Sequence, residues 1–236
     1  MSFLNAEWRK LILVNYEIDP MILINDIPAH TELDLWNGRC YVSLVGFMFV
    51  NTKMLGLKIP FHINFEEVNL RFYVKHRTKS GESKRGVVFI KEIVPRHAIT
   101  IVANTLYKEH YQTMPMRHSW SENEKSRSVS YEWKCKGVWQ KVGVQASLES
   151  EYIEKGSEEE FITEHYWGYT KINDKKTFEY EVTHPSWRAY PVQKYELDLD
   201  YGKVYGERFS FLNQQKPTSV MLAEGSEITV EKVNKI

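Results

Sequence analysis

The chain has 236 residues, 42% of them hydrophobic and 14% aromatic, with 31 basic and 31 acidic side chains that cancel to zero formal net charge. That is enough apolar material for a real core, and it carries no overall basic excess of the kind that marks a nucleic-acid partner. The two cysteines, Cys40 and Cys135, stand far apart in no metal or redox spacing, which excludes a disulfide scaffold and a zinc module.

The opening stretch MSFLNAEWRK has neither the basic nor the apolar region of a signal peptide. The longest apolar run, CYVSLVGFMFV at 40–50, is far shorter than the ~20 residues that span a bilayer. A cytoplasmic protein with no membrane partner is the expectation. No linker, repeat or low-complexity tract interrupts the chain, so 1–236 reads as one domain.

In chain order, LILVNYEI at 11–18 reads as a strand, and a helix follows with Asp19 as cap and Pro20 in its first turn. Asn37-Gly38 predicts a type I′ turn between two extended runs, TELDLW and CYVSLVGFMFV. Strands at 65–76 and 86–94 flank a basic loop, KHRTKSGESKR, which reads as a solvated hairpin rather than a phosphate patch. A helix is expected over 95–111, with Ala98, Ile101, Val102, Thr105 and Leu106 on its apolar face.

Alternation around Gly137 then predicts another hairpin, Val129, Tyr131, Trp133 and Cys135 forming its inner face. A second helix is expected over 157–169, opened by the Ser157/Glu160 capping box and three glutamates in its first turn. TFEYEVTH, KYELDL, TSVMLAE and EITVEKV complete about ten strands. The pattern favours a mainly β (α+β) architecture, an antiparallel barrel or sandwich with peripheral helices.

The strand at 65–76 poses the functional question. Side chains alternate across a strand, so Val68, Leu70, Phe72 and Val74 form one row and Glu67, Asn69, Arg71 and Tyr73 the other. In a sandwich the polar row faces water. In a barrel wide enough for a ligand it faces the interior, where the four groups satisfy one another.

Four segments in order, FEEVNLRFYV, GVVFIKEI, GSEEEFITEHYWGY and THPSWRAYPV, resemble the YqjF-type family of conserved bacterial proteins, which is grouped with acetoacetate decarboxylase. The resemblance implies a closed, cone-shaped antiparallel β-barrel with a ligand cavity, and turns the polar row inward. It also implies a place for a Schiff-base lysine, within a Gly-Phe-Pro-Lys-Lys element. Such a lysine needs a depressed pKa.

The matching stretch here is KEHYQTMPMRH. One register puts Tyr111 at the lysine position with His110 for the proline, and the other puts Met116 there, followed by Arg117. Lys108 lies three residues before Tyr111. The family's Glu-Arg-Tyr triplet reads Glu164-His165-Tyr166, which puts in doubt any role of that arginine.

The expected site therefore has Glu67 and Tyr111 as acid, base or hydrogen-bonding groups. Asn69, Arg71, Tyr73, His184 and Trp187 contact the ligand. Arg71 suits a carboxylate because its planar fork binds both oxygens. A structural ion pair of Arg71 with Glu164 or Glu66 is the competing account, and Glu67–Arg71 pairing is the competing account for Glu67. His184 either titrates near neutrality or packs as an aromatic.

No histidine or carboxylate spacing predicts a metal, and no phosphate loop or dinucleotide fingerprint predicts a cofactor. The partner is a small carboxylate- or carbonyl-bearing molecule, an oxo-acid among the options, and a homo-oligomer is compatible. A non-catalytic binding or sensing module with a sealed cavity is the alternative.

Overall fold

Long alternating runs become long strands in the computed structural model, which describes residues 2–236. The first half contains β1 (Leu4–Ile18), a 3-10 turn (Pro20–Leu23), β2 (Glu32–Leu33), β3 (Cys40–Met54), β4 (Phe65–Arg77), β5 (Ser83–Val94) and α1 (His97–Leu106). Then come β6 (Tyr111–Thr113), β7 (Met116–Glu122), β8 (Arg127–Cys135), β9 (Val138–Ala146), β10 (Glu151–Tyr152) and α2 (Glu158–Thr163). The last third adds β11 (Trp167–Asn173), β12 (Lys176–Thr183), β13 (Arg188–Tyr190), β14 (Val192–Asp198), α3 (Tyr201–Tyr205), a second 3-10 turn, β15 (Ser219–Val230) and β16 (Asn234–Lys235).

Twelve strands form one sheet, whose central ladder runs β15-β1-β3-β4-β5-β11-β12. β12 also pairs back onto β15, Val182 opposite Val230 and Thr183 opposite Thr229. Most ladders are antiparallel as expected, but β5 pairs in parallel with both β6 and β11. Each of those partners is reached through a stretch containing a helix, as a parallel connection requires.

The other four strands, in the order β14-β9-β8-β7, make a smaller sheet. It packs on the face of the large sheet that carries Val68, Leu70, Phe72 and Val74, which share a core with Tyr131, Trp133, Val142 and Val144. Gly46 on β3 admits this approach, because a Cβ there would press on the Tyr131 ring. The opposite face gathers Leu11, Val45, Phe47, Phe65 and Tyr73 in a second core, and the polar row of β4 lies on that enclosed side.

Local signals place the turns. Asp19 Oδ1 accepts from the Met21 amide at 2.9 Å and caps the first 3-10 turn. Asn37 and Gly38 both adopt positive φ, 49° and 79°, and Trp36 and Arg39 exchange backbone hydrogen bonds across them. Lys136 and Gly137 do the same work between β8 and β9. Ser157 Oγ accepts from the Glu160 amide at 3.1 Å, although the Glu160 carboxylate reaches Gly156 rather than the cap residue.

Several expectations need correction. TELDLW forms only the short β2, which pairs with β4 and not β3. α2 stops at Thr163, and WGYTKIN is strand β11. TSVMLAE and EITVEKV are one strand, β15, in which Gly225 at φ 81° lies against the backbone of Trp8. α1 spans ten residues and buries none of them. Ala98, Ile99, Val102 and Ala103 line the cavity, whereas Ile101, Thr105 and Leu106, expected inside, are exposed, Ile101 and Leu106 at 65% and 48%. Two polar ties to β6 fix its rotation: Thr100 to Thr113 at 2.7 Å and Asn104 to Tyr111. No helix among the described residues is long and apolar enough to cross a membrane.

Candidate functional site

The polar row of β4 opens onto a cavity of about 210 Å³, walled by β1, β3, β4, β5 and β12 and covered by α1. Glu67, Asn69, Arg71, Tyr111, His184 and Trp187 all line it. Tyr73 does not. It is 1% exposed, hydrogen-bonds to Ser43 at 2.6 Å, and packs under His165 with ring centroids 4.7 Å apart. It supports the site from behind, and the Arg71 guanidinium lies over its ring at 5.6 Å.

Glu67 is the hub. Asn69 Nδ2 donates to Oε1 at 2.9 Å and Tyr111 Oη donates to Oε2 at 3.0 Å. Burial raises its pKa to about 7 against the opposing pull of those two bonds and of Arg71. Tyr111 thus satisfies a carboxyl group instead of a backbone carbonyl, and enclosure together with the Glu67 charge pushes its own pKa well up. Asn104 clamps the Tyr111 backbone at both ends, accepting from its amide at 2.8 Å and donating to its carbonyl at 2.9 Å.

Arg71 is 8% exposed and makes one side-chain hydrogen bond, to the Ile162 carbonyl at 3.3 Å. Both carboxylates offered as structural partners are engaged elsewhere. Glu66 pairs with His118 at 2.6 Å, and Glu164 accepts from the Tyr166 phenol. Among the described residues Arg71 has no carboxylate partner, and its Nε is buried with no acceptor. That is unusual, because buried charges are normally paired.

Two further carboxyls share the cavity and were not foreseen. Glu92 stands opposite Asn69 in the β4–β5 ladder and beside Tyr111 in the β5–β6 ladder. It is 2% exposed, and burial followed by the neighbouring Glu109 and Glu67 charges drives its pKa far up. Glu109 accepts from Thr170 at 2.7 Å and from Tyr180 at 2.9 Å, and burial lifts it to about 7.

Alternation carried a faint signal for Glu92: Lys91 and Glu92 sit within VVFIKEIV, so one charge had to fall on each face. The irregular segment holding Glu109 carried none.

His165, the middle residue of the Glu164-His165-Tyr166 triplet, is buried against Asp34 at 3.2 Å. Burial lowers its pKa to about 4 despite that bond, so the ring is neutral at pH 7. Burial works to raise the Asp34 pKa, but bonds from His165 and Arg85 outweigh it and hold the carboxylate at about 2. His184 stacks on Trp187 at 4.4 Å and touches Trp8, forming an aromatic wall. Burial lowers the pKa of His184 as well.

Of ten buried side-chain polar atoms without a partner among the described residues, six belong to cavity-lining residues: Trp8 Nε1, Thr52 Oγ1, Asn69 Oδ1, Arg71 Nε, Glu92 Oε2 and His165 Nδ1. Unsatisfied buried groups are rare in folded proteins, and most of those here belong to the lining of this largely apolar cavity. Among the described residues no lysine lines the cavity. Lys108 is exposed, while Met116 and Arg117 belong to β7 in the smaller sheet.

Residues 5–227 match the family DUF2071, described as an uncharacterized conserved protein. The chain is 26% identical over 190 residues to the uncharacterized protein YqjF of Bacillus subtilis (strain 168), covering 76% of this chain and 72% of that one. Acetoacetate decarboxylase from Legionella pneumophila superposes with a TM-score of 0.67 at 12% identity, over 99% of this chain and 86% of that chain. An acetoacetate decarboxylase-like enzyme from Sphingomonas wittichii RW1 gives 0.67 at 11%, over 100% and 93%. The enduracididine biosynthesis enzyme MppR complexed with pyruvate gives 0.66 at 10%, over 100% and 91%. These likenesses establish the acetoacetate decarboxylase-like fold.

Proposed function

The chain belongs to the DUF2071 family, and we propose that its central sheet acts as a closed, cone-shaped barrel that binds a small carboxylate- or carbonyl-bearing molecule, such as an oxo-acid, in its interior. The observation that carries this reading is Arg71, a buried guanidinium that lines the cavity with Nε unpartnered and, among the described residues, no carboxylate within ion-pairing distance. A ligand carboxylate supplies the missing counter-charge in the bidentate geometry that arginine favours. That MppR has been seen with pyruvate supports a small oxo-acid as the first compound to try.

In this reading Arg71 fixes the anion and Asn69 orients the Glu67 carboxyl. His184 and Trp187 flank the apolar part of the ligand. Glu67 and Tyr111 form the acid–base pair, since a carboxyl titrating near 7 is poised to give or take a proton at neutral pH. The proposed chemistry uses no lysine Schiff base, a reading supported by the absence of lysine from the cavity lining among the described residues. Borohydride trapping with a β-keto acid then leaves the protein unlabelled, and a covalent adduct on Lys108 overturns that part.

The principal test is thermal shift with a panel of oxo-acids on wild type, Arg71→Ala and Arg71→Met. Ligand at a hundred times its dissociation constant adds about 2.7 kcal/mol, which the variants lose. Equal shifts in all three proteins remove Arg71 from the site. The cover of α1 over the cavity favours one second reading, a non-catalytic sensing module. Ligand stabilisation without turnover of any bound compound selects it.

A further inference from the structure

One part of the cavity lining gathers three buried carboxyl groups. Glu67, Glu92 and Glu109 are 2%, 2% and 6% exposed, arrive from three different segments, and have no lysine, arginine or histidine ion-pair partner among the described residues. The protein's own donors there are spent: Asn69 Nδ2 and Tyr111 Oη on Glu67, Thr170 Oγ1 and Tyr180 Oη on Glu109.

Two buried oxygens remain without a hydrogen-bond partner, Glu92 Oε2 and Asn69 Oδ1. Their residues face each other across the β4–β5 ladder, and the Tyr111 phenol, spent on Glu67, lies close enough to Glu92 to bear on its pKa as well. Cross-strand partners on one face bring such groups together. No set of His, Cys, Asp and Glu side chains among the described residues is arranged to hold a metal ion, so an organic donor fits this place better.

Resting on the reading of Arg71 as the carboxylate anchor, we infer that Glu92, with Asn69 and Glu109, forms a second pole that takes a protonated nitrogen of the ligand. The ligand is then dipolar, an amino- or amidino-carboxylate and not a plain oxo-acid. A protonated nitrogen supplies several donors at once, and it brings the charge that lets a buried carboxyl ionise. Arg71 lies two residues beyond Asn69 on the same strand face, roughly 7 Å along the backbone. A short chain between the charged ends spans that distance.

The test is isothermal titration with four probes: pentanoate, its ω-ammonium derivative 5-aminopentanoate, the isostere hexanoate with an uncharged methyl in place of the ammonium, and pentylamine. In wild type, 5-aminopentanoate binds about tenfold more tightly than hexanoate, the gain of one charged hydrogen-bonded contact. Glu92→Gln abolishes that gain and the binding of pentylamine, and leaves pentanoate unchanged. Glu109→Gln reduces the gain.

An ω-ammonium group that adds nothing in wild type overturns the inference, and that comparison needs no variant. A gain that survives both substitutions overturns it too. The two readings separate on Arg71→Met. Pentanoate binding that ignores this substitution removes the carboxylate anchor, while Glu92-dependent pentylamine binding upholds the cation pole. Silence of all four probes overturns both.

Discussion

Tyr111 donates its phenol to Glu67 Oε2 at 3.0 Å, although 44 residues separate the two. The bond joins the short β6 to β4 across β5, and it is one of two that restrain the Glu67 pKa from rising further. Tyr111→Phe removes a donor that favours the ionised carboxylate, so Glu67 titrates above its present value of about 7. Carbon-13 NMR of labelled glutamate carboxyls reads this directly. The variant also loses about 1 to 3 kcal/mol of stability by stranding Oε2. An unmoved titration shows that the phenol is not bonded to Glu67 in solution.

The raised glutamate pKa values set the direction of a stability profile. Glu67 has a folded pKa of about 7 against 4.5 for the free group, so between those values the folded state holds a proton that the unfolded state has released. Stability from this group therefore declines as pH rises from about 4.5 and levels off above about 7, for a loss of up to about 3 kcal/mol. His165 acts oppositely. Its folded pKa of about 4 lies below the free value of 6.5, so its contribution improves as pH rises through that interval. Urea unfolding of wild type and Glu67→Gln between pH 5 and pH 8 isolates the first effect. The variant gains on wild type as pH increases, and parallel curves show that Glu67 is already ionised in the fold.

Much of this site could be read along β4 because strand alternation is strict: once Val68, Leu70 and Phe72 face one core, Glu67, Asn69 and Arg71 must share the other side. The turns were equally legible, since Asn37-Gly38 and Gly137 carry their backbone requirement in their chemistry. Alternation alone could not say which side of β4 was enclosed. That depends on the β7–β9 sheet covering the apolar face, and β7, with exposed side chains along most of its length, gave no hydrophobic pattern to find. Glu109 was invisible for a related reason. It leaves an irregular segment after Lys108, at φ 59°, and only the tertiary fold sets it beside Tyr180.

Gly168 has a steric duty in the cavity wall. It pairs with Tyr180 across β11 and β12, and a Cβ at position 168 would collide with the Tyr180 ring and hydroxyl. Gly168→Ala therefore displaces that ring and breaks its 2.9 Å bond to Glu109. The expected cost is roughly 1 to 3 kcal/mol for overpacking, seen as a lowered urea midpoint. A Tyr180→Ala background removes the clash, so the same glycine substitution costs less there. Additive costs mean that position 168 has room for a methyl group.

Asn104 fastens α1 to the site. Its amide both accepts from and donates to the backbone of Tyr111, at 2.8 and 2.9 Å, and the helix buries none of its own residues. An element with so little apolar anchorage depends on its polar ties. Asn104→Ala removes two hydrogen bonds at once, for about 1 to 3 kcal/mol. The local signature is faster amide hydrogen exchange over 97–113, with exchange in the β8–β9 hairpin unchanged. Because the same clamp aims the Tyr111 phenol, the substitution also moves the Glu67 titration upward, in the direction expected for Tyr111→Phe but by less. Exchange that quickens uniformly through the whole chain assigns Asn104 to global stability and takes from it the positioning of Tyr111.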